Sequence, residues 1–216
     1  MAIDPAELAA LAAAAFAGSV IFGVTGFGAA LVTVPFATHF VPLPFALALY
    51  VLMDLANAFR IGFENPKNAL KSEWTRMVPA ILAGTVAGLT LLVNLPRGVA
   101  TLALGVFVFG FAIYSLAGRP GARRVRATPW AYVAGFTGGV TSALFGAGGP
   151  PYAMYLAHRG LSKEQYRATL GLATLTSISL RTIAFFAIGF LLEPRVWVYA
   201  AFVVSPTSGG RRSTSA

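Results

Sequence analysis

The sequence predicts an all-α, polytopic membrane protein built from two related helical halves with Gly-rich broken helices, the second half being incomplete. Three observations support this fold class. The composition is 57% hydrophobic and 11% charged, whereas about a quarter of the residues in soluble domains are charged. Long uncharged runs recur along the chain, and two Gly-rich segments resemble each other. These features argue against a soluble globular domain.

Six stretches are predicted to cross the membrane, because a helix needs about 20 apolar residues to span a hydrocarbon core of about 30 Å. They are 8–38, 42–63, 77–96, 98–118, 127–157 and 168–192. The first and the fifth are 31 residues long, so as single helices they would measure about 46 Å. Both exceed the bilayer and are expected to tilt, protrude or break.

A Pro-, Gly- and Arg-rich segment divides the chain into a first transmembrane repeat, 1–117, and a second, 131–204, with 118–130 as a basic cytoplasmic linker and 205–216 as a polar tail. A shift of 118 residues places the tripeptide beginning at Phe27 on the identical one at Phe145. Only about ten apolar residues follow Arg195, too few to span, so the second repeat is expected to be truncated. Such repeats are typical of secondary transporters. They are expected to be parallel unless the 31-residue runs leave the membrane on the face at which they enter.

The net charge of +9 is expected to reflect membrane topology rather than nucleic-acid binding, because Lys and Arg fall in short clusters between uncharged runs. With the N-terminus inside, the inner loops hold nine of these residues and the outer loops four. This bias predicts a cytoplasmic N-terminus in the inner membrane, with the loop from Arg159 to Arg167 as an exception. No cysteine is present, which excludes disulfides and thiolate metal sites, and no metal site or cofactor is predicted.

The Gly-rich segments are the first candidate for a binding site. Gly and Pro weaken or remove helical hydrogen bonds, and free N–H groups at the start of a half-helix attract anions. The alternative is that glycines only permit close helix packing, which is favoured for Gly84 and Gly88. A functional break is favoured for the second segment, and the candidate anion ligands from both segments are Gly26, Gly28, Gly146, Gly148, Gly149 and Pro150.

Polar residues inside the apolar runs are the second candidate, since a charge buried in a bilayer needs a partner or a cavity. Arg181 carries a forked guanidinium that suits paired oxyanion oxygens, but it could equally form a buried ion pair with Asp54, and both roles can coexist. Asn57 shares a helix face with Asp54. Hydroxyls beside the Gly breaks either donate to an anion or bond the carbonyl four residues earlier. These hydroxyls belong to Thr25, Thr141 and Ser142.

Two motifs carry a family resemblance. The first is GVTGFG beginning at Gly23, followed by Pro35, and the second is GGVTSALFGAGGPP beginning at Gly138. With the later pairs YL at Tyr155 and RA at Arg167, they resemble the two signature segments of the sulfite exporter TauE/SafE family, over roughly residues 16–190. The resemblance implies an inner-membrane permease with two related halves that exports sulfite, sulfonates or related organosulfur anions. It leaves the substrate of this chain open.

The chain is therefore expected to be a secondary transporter that exports small anions, with a small anionic substrate and membrane lipid as partners and no nucleic acid. Self-association into a homo-oligomer, transport direction and energy coupling are left open. An enzyme is not expected, because two distant histidines and no cysteine offer no nucleophile paired with a base. The alternative is a nontransporting accessory or truncated membrane subunit, which the abrupt polar tail favours.

Overall fold

A computed structural model describes residues 5–25, 29–63, 66–117, 127–192 and Trp197. Within this part of the chain the regular structure is helical throughout, with a 3-10 turn at Pro66–Asn68. The α-helices are α1 (Pro5–Thr25), α2 (Ala29–Ala37), α3 (Leu43–Gly62), α4 (Lys71–Asn94), α5 (Arg97–Ala117), α6 (Ala127–Phe145), α7 (Gly149–Ala157) and α8 (Lys163–Ile188). The expected short apolar stretch after Arg195 and the polar tail lie outside the described residues.

Four of these helices are long and apolar enough to cross a membrane. They are α3, α4, α8 and residues 98–117 of α5, and they overlap four of the six predicted runs. The all-α polytopic fold class is thereby confirmed.

The two 31-residue runs do not form single helices. In the second run α6 ends at Phe145 and α7 begins at Gly149. Gly146 between them has a φ of 75°, a left-handed conformation that glycine adopts without steric strain. Pro150 and Pro151 occupy the first turn of α7, where their missing N–H groups break no helical hydrogen bond. The predicted break is confirmed here, and the first run is likewise divided between α1 and α2.

Each short helix packs back along its long partner. A Cβ atom added to Gly138 of α6 would stand 2.0 Å from Tyr152 Cε1 of α7. Residues from the start of α6 to its middle and from the start of α7 to just past its end line one groove, from Trp130 to Thr137 and from Pro151 to His158. In the first run Gly18 of α1 lies against Thr33 of α2. Both runs are therefore re-entrant hairpins that leave the bundle on the side at which they enter.

The helices α1 and α3 begin on the same side of the bundle. The Tyr50 hydroxyl of α3 donates to the Leu11 carbonyl of α1 at 3.2 Å. About two turns further along both helices, the Asn57 amide donates to the Ser19 hydroxyl at 3.4 Å. The two helices thus run in parallel.

The helix α8 begins on the opposite side. Its first half packs against the end of α3, where Gly62 lies beside Leu175, and its second half reaches back to the middle of α3. The Leu70 amide, which immediately precedes α4, donates to the Thr169 hydroxyl of α8 at 2.9 Å. The helices α4 and α8 therefore begin together, at the end of α3.

Glycines allow α4 and α6 to pack backbone to backbone. A Cβ atom added to Gly84 would stand 2.1 Å from the Phe136 carbonyl oxygen, and one added to Gly88 would stand 2.6 Å from that of Val140. Gly135 and Gly139 of α6 lie equally close to the backbone of α4. The packing role predicted for Gly84 and Gly88 is confirmed.

The two halves repeat the same order of helices in opposite directions. The starts of α2 and α3 lie 120 residues before those of α7 and α8. Because α1 and α6 enter the bundle from opposite sides, the two halves form an inverted repeat. Parallel repeats were expected unless the 31-residue runs leave the membrane on the face at which they enter, and both runs do so. The boundaries at 117/118 and 130/131 remain a prediction.

We call the side on which α4, α6 and α8 begin the basic face, and the other side the distal face. The aromatic rings of Phe107 and Phe145 stack, and Tyr114 shares a groove with Trp130. Helix α5 therefore runs from the distal face to the basic face, so the linker joins two helix ends on the basic face. Among the described residues, the basic face carries Arg60, Lys67, Lys71, Arg76, Arg159, Lys163 and Arg167.

Candidate functional site

A buried ion pair joins the two halves of the bundle. Arg181 of α8 and Asp54 of α3 meet with 2.8 Å between Nη2 and Oδ2. The Arg181 side chain is 0% exposed. Its Nη1 donates to the Ser142 carbonyl oxygen at 3.0 Å, close to the end of α6. The guanidinium therefore ties α3 and α8 to the break between α6 and α7, and the ion-pair interpretation of Arg181 is confirmed.

Six buried polar side-chain atoms around this pair have no hydrogen-bond partner among the described residues. Buried polar atoms are nearly always hydrogen-bonded, so a cluster of exceptions calls for an explanation. The atoms are Asp54 Oδ1, Arg181 Nε and the hydroxyl oxygens of Ser142, Tyr152, Thr174 and Ser177. The Tyr152 and Ser177 hydroxyls interact with each other without reaching hydrogen-bond geometry. The cluster has the character of a binding site for a polar ligand.

These polar atoms converge on a small closed cavity between the hairpins and α3 and α8. Its lining includes Asp54, Ser142, Tyr152, Thr174 and Ser177, together with apolar residues of α1 and α2. The volume of the cavity is about 10 Å³, which is room for about one water molecule. The structure therefore represents a closed conformation of the site.

The break between α6 and α7 shapes one wall of the cavity. Gly146, Gly148 and Gly149 all line it. A Cβ atom added to Gly146 would stand 2.7 Å from Arg181 Nη1, and one added to Gly148 would stand 2.8 Å from the Ser142 Cβ. Since Pro150 and Pro151 have no N–H, the amides of Gly148 and Gly149 are the donors at the start of α7. Glycine is needed here for the close approach as well as for the turn.

Several predicted site residues lie elsewhere. Asn57 faces α1 and bonds Ser19 rather than the cavity. The Thr141 hydroxyl donates to the Thr137 carbonyl at 3.0 Å, which is the intrahelical alternative. Pro150 is buried in the first turn of α7 without lining the cavity. Thr25 is the last residue of α1, and Gly26 and Gly28 lie outside the described residues.

Sequence analysis missed the apolar lining of the cavity and three of its polar residues, Tyr152, Thr174 and Ser177. A signal for two of them exists in the repeat. The 120-residue shift that aligns α3 with α8 places Thr174 on Asp54 and Ser177 on Asn57. Each half therefore contributes a polar pair spaced three residues apart on the equivalent helix.

A second buried carboxylate anchors the end of α7. Glu73 of α4 is 1% exposed and pairs with Arg159 at 2.7 Å and with Arg76 at 3.4 Å. The Tyr155 hydroxyl of α7 also donates to Glu73. The short helix is thus held at both ends, by the cavity at its start and by this cluster at the basic face.

The side chains around the cavity offer hydrogen-bond donors rather than metal ligands. No group of three or more His, Cys, Asp or Glu side chains that could hold a metal occurs in the described residues. Arg181, the surrounding hydroxyls and the α7 amides are hydrogen-bond donors suited to oxyanions.

Apolar helices that enclose a buried charged pair between inverted halves define a multi-pass membrane transporter. A family model described as "Sulfite exporter TauE/SafE" matches residues 10–214. The chain belongs to the TauE/SafE sulfite exporter family, which is a family of membrane transporters and not of enzymes. No curated protein and no solved structure matches the chain.

Proposed function

We propose that this protein is a permease that exports small anions, namely sulfite or organosulfur anions, across the inner membrane. The observation that carries the proposal is the fully buried guanidinium of Arg181, paired with Asp54 at the wall of a closed cavity whose hydroxyl groups lack hydrogen-bond partners among the described residues. A cation buried in a membrane protein marks a substrate pathway or a buried pair. Here it forms the pair, and the two residues that it bonds, Asp54 and Ser142, line the cavity.

The donors around the cavity favour an oxyanion over other substrates. Arg181 presents a planar fork of N–H groups that matches two oxygens of one anion. Ser142, Tyr152, Thr174 and Ser177 add hydroxyls on other sides. Sulfite and sulfonates share a pyramidal set of three oxygens, so both can be met by donors from several helices. The apolar remainder of the lining, which includes Phe22 and Ile178, would suit the short carbon chain of a sulfonate once the cavity opens.

Transport requires the closed cavity to open, because about 10 Å³ is far less than any such anion occupies. The inverted arrangement offers two equivalent routes, one along each re-entrant hairpin. Alternate loosening of the α1–α2 and α6–α7 hairpins would expose Arg181 first to one side of the membrane and then to the other.

We further propose that the basic face is cytoplasmic, which places the N-terminus outside, opposite to the expectation from the loop count. That count assumed that both 31-residue runs cross the membrane. With both runs re-entrant, Arg159, Lys163 and Arg167 lie on the same face as Lys67, Lys71 and Arg76. On the distal face, the described residues include the single cation Arg97. Cytoplasmic loops are enriched in Lys and Arg, which supports this orientation.

A growth experiment tests the proposed function. Cells without their own sulfite exporter are expected to tolerate more sulfite when they express the wild-type chain. Arg181→Ala is expected to abolish this tolerance, and Arg181→Lys is expected to restore only part of it, because an ammonium cannot replace the guanidinium fork. Arg60→Ala, at an exposed position on the basic face, serves as the matched control. Unchanged tolerance in both Arg181 variants would remove Arg181 from the site, and no effect of the wild-type chain would favour the nontransporting subunit.

A further inference from the structure

We propose that Asp54 takes up one proton whenever the cavity binds one monovalent anion, so that proton and anion cross the membrane together. This inference rests on the proposed function and concerns how the same site is coupled to energy. It starts from the charges that the closed cavity contains.

Asp54 lines the closed cavity, and its negative charge is in direct contact with the positive charge of Arg181. Arg181 Nη2 lies 2.8 Å from Asp54 Oδ2, and both side chains are buried. An entering monoanion would add an uncompensated charge to a site shielded from water, which is strongly unfavourable. Asp54 would also continue to occupy the nitrogen that the anion needs. Ionised Asp54 therefore opposes anion binding by its charge and by its hydrogen bond.

Protonation of Asp54 removes both obstacles. A neutral carboxyl group leaves Arg181 and the anion as a pair with no net charge. Its new O–H requires an acceptor, and the hydroxyl oxygens of Ser142, Tyr152, Thr174 and Ser177 line the same cavity without partners among the described residues. The site can thus hold the ion pair alone, or a proton together with an anion.

Few titratable or charged groups face Asp54 from the helices packed around it. Arg181 comes from α8 and Tyr152 from α7. Tyr50, one turn earlier on α3, is close enough to interact electrostatically with Asp54 and donates its own hydroxyl proton to the Leu11 carbonyl. The described parts of α1 and α2 contribute apolar side chains, and α6 contributes Ser142. Among the described cavity-lining residues, Asp54 is thus the carboxylate that can take the proton.

This coupling makes transport electroneutral for a monovalent anion. The flux then depends on the combined proton and anion gradients and not on the membrane potential. Net export requires an outward anion gradient larger than the inward proton gradient. Such a protein would release an anion only when it accumulates inside the cell.

Proton counting in liposomes tests the inference. The purified full chain is reconstituted with a pH-sensitive dye inside, and the membrane potential is clamped with potassium and valinomycin. Methanesulfonate is the probe, because it stays a monoanion at neutral pH and carries no proton of its own. An inward methanesulfonate gradient is expected to acidify the interior by one proton per anion, at a rate that a shift of the potential leaves unchanged.

Asp54→Asn separates proton coupling from anion transport. Asparagine mimics the neutral carboxyl group but exchanges no proton, so the anion is expected to move with acidification reduced to background and with a rate that now depends on the potential. Glu164→Gln is the matched control, because Glu164 is an exposed carboxylate at the start of α8. It is expected to keep the wild-type ratio of protons to anions.

The outcomes distinguish the two proposals. Methanesulfonate flux through the wild-type protein without acidification would overturn the proton coupling and leave the anion permease standing. No flux of methanesulfonate or sulfite through the wild-type protein would overturn the permease and the coupling with it. If Asp54→Asn fails to fold, the wild-type ratio of protons to anions still decides the matter.

Discussion

Arg181 and Asp54 stabilise each other, so single substitutions at either residue change folding as well as function. Both side chains are buried, and Arg181 also donates to the Ser142 carbonyl. Removing one partner of a buried ion pair leaves an uncompensated charge and destabilises a protein by about 3–5 kcal/mol. Loss of transport in a single variant therefore needs a stability measurement beside it.

A double variant separates these two effects. Arg181→Gln alone is expected to lower the melting temperature of the purified protein, because Asp54 then stays buried without its partner. The double variant Asp54→Asn with Arg181→Gln removes both charges and is expected to recover most of that loss. It is still expected to bind no anion, because the guanidinium is absent. Recovery of sulfite binding in the double variant would show that the site does not depend on Arg181.

Gly146 permits a second residue-scale test, since Gly189 shares its backbone conformation. Both have positive φ, 75° and 92°, so an alanine at either position adds a strain of about 1–2 kcal/mol. Only at Gly146 would the new Cβ stand within 2.7 Å of Arg181 Nη1, whereas nothing lies within 4 Å of it at Gly189. Gly146→Ala is expected to reduce sulfite transport beyond its effect on stability, and Gly189→Ala to lower stability alone. Equal transport by the two variants would contradict the placement of Gly146 at the site.

The candidate site could be predicted in part at this scale. The Asp54–Arg181 pair was one of the two alternatives that the sequence offered for Arg181, because Asp54 is the only carboxylate in a predicted span. Asn57 was expected beside it because residues three apart share a helix face, and in this structure the Asn57 amide turns toward α1 and donates to Ser19. Thr174 and Ser177 were missed because hydroxyl residues are common in apolar helices and usually bond their own backbone.

At the scale of elements, the positions of the helix breaks could be predicted from the sequence. The direction in which the chain continues after each break could not. Glycine and proline mark where a helix weakens, and α6 ends within that segment. Whether the chain then continues across the membrane or turns back depends on tertiary contacts. One such contact is the Glu73 cluster, in which Arg159 and Tyr155 fix the end of α7 beside the start of α4.

The contact between α4 and α6 gives an element-scale prediction. Gly84→Ala is expected to destabilise the protein by about 1–3 kcal/mol, because its Cβ would overlap the Phe136 carbonyl and force the helices apart. Gly105→Ala is the matched control within α5, where nothing lies within 4 Å of the added Cβ. That variant is expected to be neutral or slightly stabilising, since alanine favours helix over glycine. Thermal unfolding in detergent measures both, and equal melting temperatures would contradict the close packing.

For the whole molecule, the fold changes how the charges are assigned to the two membrane sides. The composition alone indicated a polytopic membrane protein, but the loop count depended on how many times the chain crosses. Two re-entrant hairpins move the loop after α7 to the basic face and make the repeats inverted. The proposed orientation therefore depends on the three-dimensional arrangement of the helices.

Single-cysteine labelling tests this orientation directly, because the natural chain contains no cysteine. Asn94→Cys lies exposed at the end of α4 on the distal face, and Lys163→Cys lies exposed at the start of α8 on the basic face. An impermeant maleimide added to intact cells is expected to label Asn94→Cys, and to label Lys163→Cys only after permeabilisation. The reverse pattern would place the N-terminus in the cytoplasm.

The central claim is that the protein moves small anions through a site that depends on the Asp54–Arg181 pair. Counterflow of labelled sulfite tests it most directly, with the wild-type chain and the double variant Asp54→Asn with Arg181→Gln reconstituted at equal amounts of folded protein. The wild-type liposomes are expected to accumulate label well above protein-free liposomes, and the double variant is expected to match the protein-free level. Equal accumulation by both proteins, or none by the wild-type protein, would contradict the claim.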